Sequence, residues 1–164
     1  MKLHAKLFQE RGVPYLFDPG QAGPLFTPEE LRNFADGADA CAFSDFEAEY
    51  LEKVAGLTPE GLSQAGKTVY HTHGEKGSTV WLAGGERVEV EAIPAKAVDP
   101  VGAGDAYRGG LLFARERGLS PVVGARIGTV LGSLKVAVRG AQNWRTTLDE
   151  VRGVYASHWG EAPF

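Results

Sequence analysis

Asp99-Pro100-Val101-Gly102-Ala103-Gly104-Asp105-Ala106-Tyr107-Arg108-Gly109-Gly110-Leu111-Leu112 sets a run of small residues between a proline turn and the start of a helix. Gly102, Ala103 and Gly104 let the backbone come close to a ligand at that start, where unpaired N–H groups and the helix dipole favour an anion. Phosphate is the natural guest. Asp105 falls in the first helical turn, where a carboxylate is stabilised as an anion and is suited to accept a proton from a hydroxyl. Gly109 and Gly110 keep the helix thin for close packing. An ordinary helix start can have the same spacing, so spacing alone leaves both readings open.

Upstream, strands and helices alternate. A helix is expected over residues 2–11, closed by Gly12, and then a buried strand Val13-Pro14-Tyr15-Leu16-Phe17 ended by Asp18-Pro19-Gly20. Thr27-Pro28-Glu29-Glu30 reads as a capping box opening a second helix. A second strand is expected over residues 38–43, a helix from Ser44 to about Ala55, and a third strand over residues 67–72. Residues 78–82 and 87–93 then alternate like a hairpin. Downstream, helices should start near Gly104, at Ser120-Pro121 and at the Thr147-Leu148-Asp149-Glu150 box. This order predicts an α/β layered fold with a mixed, mainly parallel sheet and flanking helices.

With 164 residues, 43% of them hydrophobic and 23% charged, the chain is expected to be one folded domain with one core. A net charge of -4 argues against nucleic acid as a partner, because such proteins normally carry clustered Lys and Arg. Cys41 is the only cysteine, which excludes an intrachain disulfide and a cysteine-rich zinc site and suits a cytoplasmic setting. No apolar stretch approaches the ~20 residues of a spanning helix, so a membrane is not expected as a partner. His71 and His73 alternate about Thr72 and, on a continuing strand, would face opposite ways and share no metal. His4 and His158 are expected on exposed helical surface.

The whole stretch from Asp99 to Leu112 resembles the C-terminal signature of the PfkB/ribokinase family, with Asp99, Pro100, Gly102, Ala103, Gly104, Asp105, Gly109, Gly110, Leu111 and Leu112 at its restricted positions. The resemblance implies a ribokinase-like fold and phosphoryl transfer from ATP to a hydroxyl of a small sugar or nucleoside. Asp105 would be the catalytic base, and the amides from Gly102 to Asp105 an anion hole. Thr72-His73-Gly74-Glu75-Lys76-Gly77 is similar to the family's Thr-x-Gly-x-x-Gly turn, which would lay Thr72, Gly74 and Gly77 along the nucleotide phosphates. A plain strand-to-hairpin turn also fits those residues. The segment from Gly132 to Asn143 resembles the helix and loop that flank the nucleotide base, with Gly140 and Ala141 as the expected contacts and Thr129 as a further one.

Ser44-Asp45-Phe46-Glu47 aligns with the family's Asn-x-x-Glu element, which arranges Mg²⁺ through water, but Ser44 stands where the family has asparagine. Glu47 is thus a candidate for the metal network, and the same spacing is equally a capping box. Asp18 is a turn former first and a further candidate for that network. The resemblance runs from about Leu3 to about Gly153 and corresponds to the family's C-terminal, ATP-binding half, so the fold is expected to be truncated on its N-terminal side. Most acceptor contacts lie in the other half. Two functions therefore stand side by side: a kinase, or a non-catalytic nucleotide-binding or association fragment that pairs with itself through an open sheet edge. A dinucleotide-binding domain is disfavoured, because the glycine-rich turn comes late and lacks an opening strand–turn–helix unit.

Overall fold

Capping chemistry sets most helix boundaries in the computed structural model, which describes all residues Met1–Phe164. Thr27 accepts from the Glu30 amide and Glu30 accepts from the Thr27 amide, opening α2 (Pro28–Gly37) after α1 (Lys2–Arg11). Ser44 and Glu47 do the same for α3 (Asp45–Ala55), which ends at left-handed Gly56. Thr58 caps the short α4 (Pro59–Gln64). Later, Ser120 caps α6 (Pro121–Val136) and Thr147 caps α7 (Leu148–Trp159), while α5 (Ala103–Glu116) starts at Gly102 without a side-chain cap. Each polar cap satisfies an amide that the helix itself leaves unpaired.

The five strands are β1 (Leu16–Phe17), β2 (Ala40–Ser44), β3 (Thr68–Thr72), β4 (Ser78–Trp81) and β5 (Arg87–Val90), and they lie in sheet order β1-β2-β3-β4-β5. The first three are parallel, with Phe17 opposite Cys41 and Ser44 opposite Thr72. The links after β3 and β4 are too short for a parallel crossover, so the sheet is mixed. β1 is shorter than the apolar run suggested, because the Tyr15 amide leaves the ladder to donate to the Asp39 carboxylate at 2.9 Å. The expected helices and strands are otherwise present within a few residues; α4 was not expected.

The chain divides into compact units. One compact unit comprises Met1–His73 with Thr79–Glu89, and the other Gly74–Ser78 with Val90–Phe164. In the first, Phe17, Leu31, Phe34, Cys41, Phe43, Leu51, Leu62 and Val69 form a core between sheet and helices. In the second, Ala114, Ile127, Val130, Val151 and Tyr155 join α5, α6 and α7.

Helices α5 and α6 meet at glycine. A Cβ placed on Gly110 would run into the Gly128 amide, and one on Gly128 would lie 2.8 Å from the Tyr107 carbonyl. The expected close packing thus belongs to Gly110. At Gly109 a Cβ would meet nothing within 4 Å, so this residue packs against no helix.

Candidate functional site

In the second unit, Gly102 adopts φ 86° and turns the chain into α5. A side chain there would be strained, and its Cβ would also lie 3.0 Å from Ala141. The Ala103 amide donates back to the Pro100 carbonyl at 3.1 Å, and the Ala106 amide donates to the Gly102 carbonyl at 3.0 Å. Between them, the amides of Gly104 and Asp105 sit in the first helical turn, where no intrahelical acceptor exists. The Asp105 side chain is 84% exposed at the same end.

Arg108, one helical turn on, brings its Nη1 to 3.5 Å from Asp105 Oδ1. Its guanidinium lies over Gly104, where a Cβ would come within 2.6 Å of Nη1. Burial lowers the Arg108 pKa, although a guanidinium stays charged at any ordinary pH. Sequence reasoning did not select Arg108; the i, i+3 spacing from Asp105 was the available signal.

Two distant segments hold this turn in place. Asp99 accepts from the Val101 amide at 3.0 Å and from the Gly140 amide at 2.7 Å, and these bonds, Gly140 first, keep its carboxyl below the usual carboxylate range. Lys135 is fully buried, and its Nζ donates to the carbonyls of Asp99 at 2.8 Å and Val138 at 3.0 Å. A cavity of about 430 Å³ opens beside the turn, lined by Gly102, Asp105, Gly109, Ala141, Phe113 and Trp144 among others. Of the three residues expected at a nucleotide base, Ala141 lines this cavity, Gly140 is tied to Asp99, and Thr129 sits half-buried on α6. In the turn before β4, Gly77 has φ 99°, and a Cβ there would strike the Val90 carbonyl; Gly74 has φ 60° and open space around it. Tyr107 donates to buried Ser78 at 3.0 Å.

The first unit holds the remaining candidates. Thr72 ends β3, with its hydroxyl 3.4 Å from the Phe43 carbonyl. Glu47 Oε2 accepts from both the amide and the hydroxyl of Ser44, each at 2.7 Å, so the capping-box reading of this pair is realised. Only Oε1 lies outside the cap. Asp18 Oδ1 accepts from the Gly20 amide at 2.8 Å, as a turn former does.

His71 and His73 do not face opposite ways. β3 ends at Thr72, the alternation ends with it, and the two rings come to 4.3 Å between centroids. Both address Asp45 Oδ1, His73 through Nδ1 at 2.6 Å and His71 through Nε2 at 3.0 Å. Desolvation pushes the Asp45 carboxyl up, but its contacts with His73 and His71 outweigh this and hold it low. Burial and then the neighbouring His73 lower the pKa of His71. His4 and His158 are exposed on helices, as expected.

No helix is long and apolar enough to cross a membrane. Comparison with known proteins gives a match to the pfkB family carbohydrate kinases over residues 1–148. The nucleoside kinase of Methanothermobacter thermautotrophicus is 28% identical over 148 residues, covering 90% of this chain and 47% of that protein. The Lactococcus lactis ribokinase is 29% identical over 149 residues, with 90% and 47% covered. Among solved structures, Burkholderia thailandensis nucleoside kinase in complex with inosine superimposes with a TM-score of 0.92 at 32% identity, covering 97% of this chain and 52% of that one. The chain spans about half the length of these relatives. It has the ribokinase-like α/β fold. On the match over residues 1–148, this chain belongs to the pfkB family of carbohydrate kinases.

Proposed function

We propose that the chain carries the phosphate-side chemistry of an ATP-dependent kinase acting on a hydroxyl of a nucleoside or sugar. The observation behind this reading is the exposed Asp105 carboxylate in the first turn of α5, directly after left-handed Gly102. The acceptor oxygen would form its bond to the γ-phosphorus while the bond to the ADP oxygen breaks, and the hydroxyl proton would pass to Asp105. Backbone amides from Gly102 to Asp105, with Ala103 turned partly away, would hold the charge on the transferred group. Nucleotide contacts are assigned to Thr72, Gly74 and Gly77 on the phosphates and to Gly140, Ala141 and Thr129 around the base.

Mg²⁺ would neutralise phosphate charge, held mostly by the phosphates and water. Glu47 fits a water-mediated role only, through the Oε1 that its cap leaves over, and Asp18 is the weaker candidate. A nucleoside is favoured over a free sugar as acceptor, because nucleoside kinases recur among the relatives and one was solved with inosine and with ADP-inosine.

The test is ATP-dependent phosphorylation of a nucleoside and sugar panel, by the chain alone and with the N-terminal half of a related nucleoside kinase supplied in trans. Activity that Asp105→Asn abolishes is the expected result. No activity in either arrangement, or activity indifferent to Asp105→Asn, would sink the proposal. A second reading, an association fragment, is motivated by β1 at the open end of the sheet. Light scattering separates the two, since that reading requires a concentration-dependent oligomer and no turnover.

A further inference from the structure

Glu89, Thr79, His73 and Asp45 form one hydrogen-bonded chain in the first unit, and His71 stands against its Asp45 end. Thr79 donates its hydroxyl proton to Glu89 Oε2 at 2.8 Å, so the Thr79 oxygen is left to accept from His73 Nε2–H at 2.9 Å. That fixes the tautomer of a neutral His73 by its network. Its other ring nitrogen, Nδ1, then presents a bare lone pair to the Asp45 carboxylate at 2.6 Å, two acceptors face to face. His71 Nε2 lies 3.0 Å from the same oxygen. A proton on His73 Nδ1 or a metal ion would remove this conflict, and only a metal ion would also engage the His71 nitrogen. Protonating both rings would set two cations side by side, with centroids 4.3 Å apart.

We propose that Asp45 Oδ1, His71 Nε2 and His73 Nδ1 form a binding site for one divalent first-row transition-metal ion, with Zn²⁺ as the best fit. One ligand atom from each of the three residues lies within 4.8 Å of the others. Zinc bonds of about 2.0–2.2 Å put tetrahedral ligand atoms roughly 3.3–3.6 Å apart, so Asp45 Oδ1, at 2.6 Å and 3.0 Å from the two nitrogens, would move outward. Asp45 can make this move, since its side chain is 64% exposed at the start of α3. Metal-bound histidines characteristically donate their outer N–H to a polar partner, and Thr79 backed by Glu89 is that partner for His73. Two imidazoles and one carboxylate suit Zn²⁺, Co²⁺ or Ni²⁺, whereas Mg²⁺ prefers oxygen. The ion would tie the end of β3 to the first turn of α3, with a fourth position left for water. Nothing in this site depends on the kinase reading.

To test it, the full chain is stripped of metal with a chelator and titrated calorimetrically with Zn²⁺. The expected result is one Zn²⁺ per chain, with affinity reduced by more than roughly 100-fold in His73→Ala and Asp45→Ala, beyond the loss that follows removal of an outer partner. The paired change His4→Ala with His158→Ala should leave it unaltered. X-ray absorption of the Zn²⁺-loaded parent chain should count two imidazole ligands, a readout that survives any variant's failure to fold. Absence of Zn²⁺ binding by the parent, undiminished binding by variants with the parent's circular dichroism, or an absorption spectrum without two imidazoles each overturns the site and leaves a shared proton in its place.

Discussion

The Asp99 carboxylate accepts a hydrogen bond at 2.7 Å from the amide of Gly140, 41 residues further along the chain. The first residue of the glycine-rich segment thereby fixes the loop that carries Ala141. Because the fold holds the Asp99 pKa below its unfolded value, the stabilisation is complete above the ordinary carboxylate range. It is lost as pH falls through the lowered value. Amide exchange at Gly140, corrected for its intrinsic pH dependence, should therefore speed up on acidification in the parent chain. In Asp99→Asn it should already be fast at neutral pH, with little further change; equal protection in the two chains would refute this role.

Lys135 secures the same turn from beneath. Its fully buried ammonium satisfies two carbonyls, those of Asp99 and Val138. Lys135→Met keeps most of the volume and leaves both acceptors without their charged donor, at a cost of about 2–4 kcal/mol. Thermal denaturation should register this as a fall in Tm of roughly 5–15 °C, given ~2–4 °C per kcal/mol at this chain length. A change within error would mean that water replaces the ammonium freely.

Adjacent glycines on α5 should respond with opposite signs. Gly110→Ala drives a methyl group into the Gly128 backbone and should destabilise by about 1–3 kcal/mol or more. Gly109→Ala meets nothing within 4 Å and should gain about 0.5–1 kcal/mol from helix propensity. Denaturant midpoints of the two variants measure both signs. If both destabilise alike, the α5–α6 contact is not the cause.

These contrasts mark how far sequence could reach. Thr27 with Glu30 and Ser44 with Glu47 were legible because a cap is completed within four residues. The signature from Asp99 to Leu112 was legible for the same reason, being continuous. Asp99 with Gly140 was not, since its partners are brought together only by the packed chain. His71 and His73 were misread because strand alternation holds only while the strand lasts, and β3 stops at Thr72. Arg108 was passed over although its i, i+3 spacing from Asp105 is written in the motif; only its position above Gly104 needed the folded helix.

Cys41 offers a probe of the first unit's core. It is fully buried on β2, and desolvation pushes its pKa up to about 12, so the reactive thiolate is scarce in the folded protein at any assay pH. At pH 8, a disulfide reagent should label it only through opening of the core, at a rate that rises with denaturant in step with unfolding. Stoichiometric labelling within seconds under native conditions would contradict the burial.

Arg108 links stability to the proposed chemistry. Its guanidinium stands over Gly104 and 3.5 Å from Asp105, so it is placed to receive negative charge that gathers at the helix start. In the phosphorylation assay with the N-terminal half supplied, Arg108→Met should lower kcat by roughly 10- to 1000-fold, the range for loss of one charge-stabilising donor, with a smaller change in KM. Gly104→Ala should act in the same direction, because its methyl group displaces Nη1 from its present position. Arg108→Lys keeps the charge and loses the planar fork, and an intermediate rate would separate charge from geometry. If Arg108→Met raises KM alone and leaves kcat untouched, Arg108 serves ground-state binding, and charge stabilisation during transfer rests on the backbone amides.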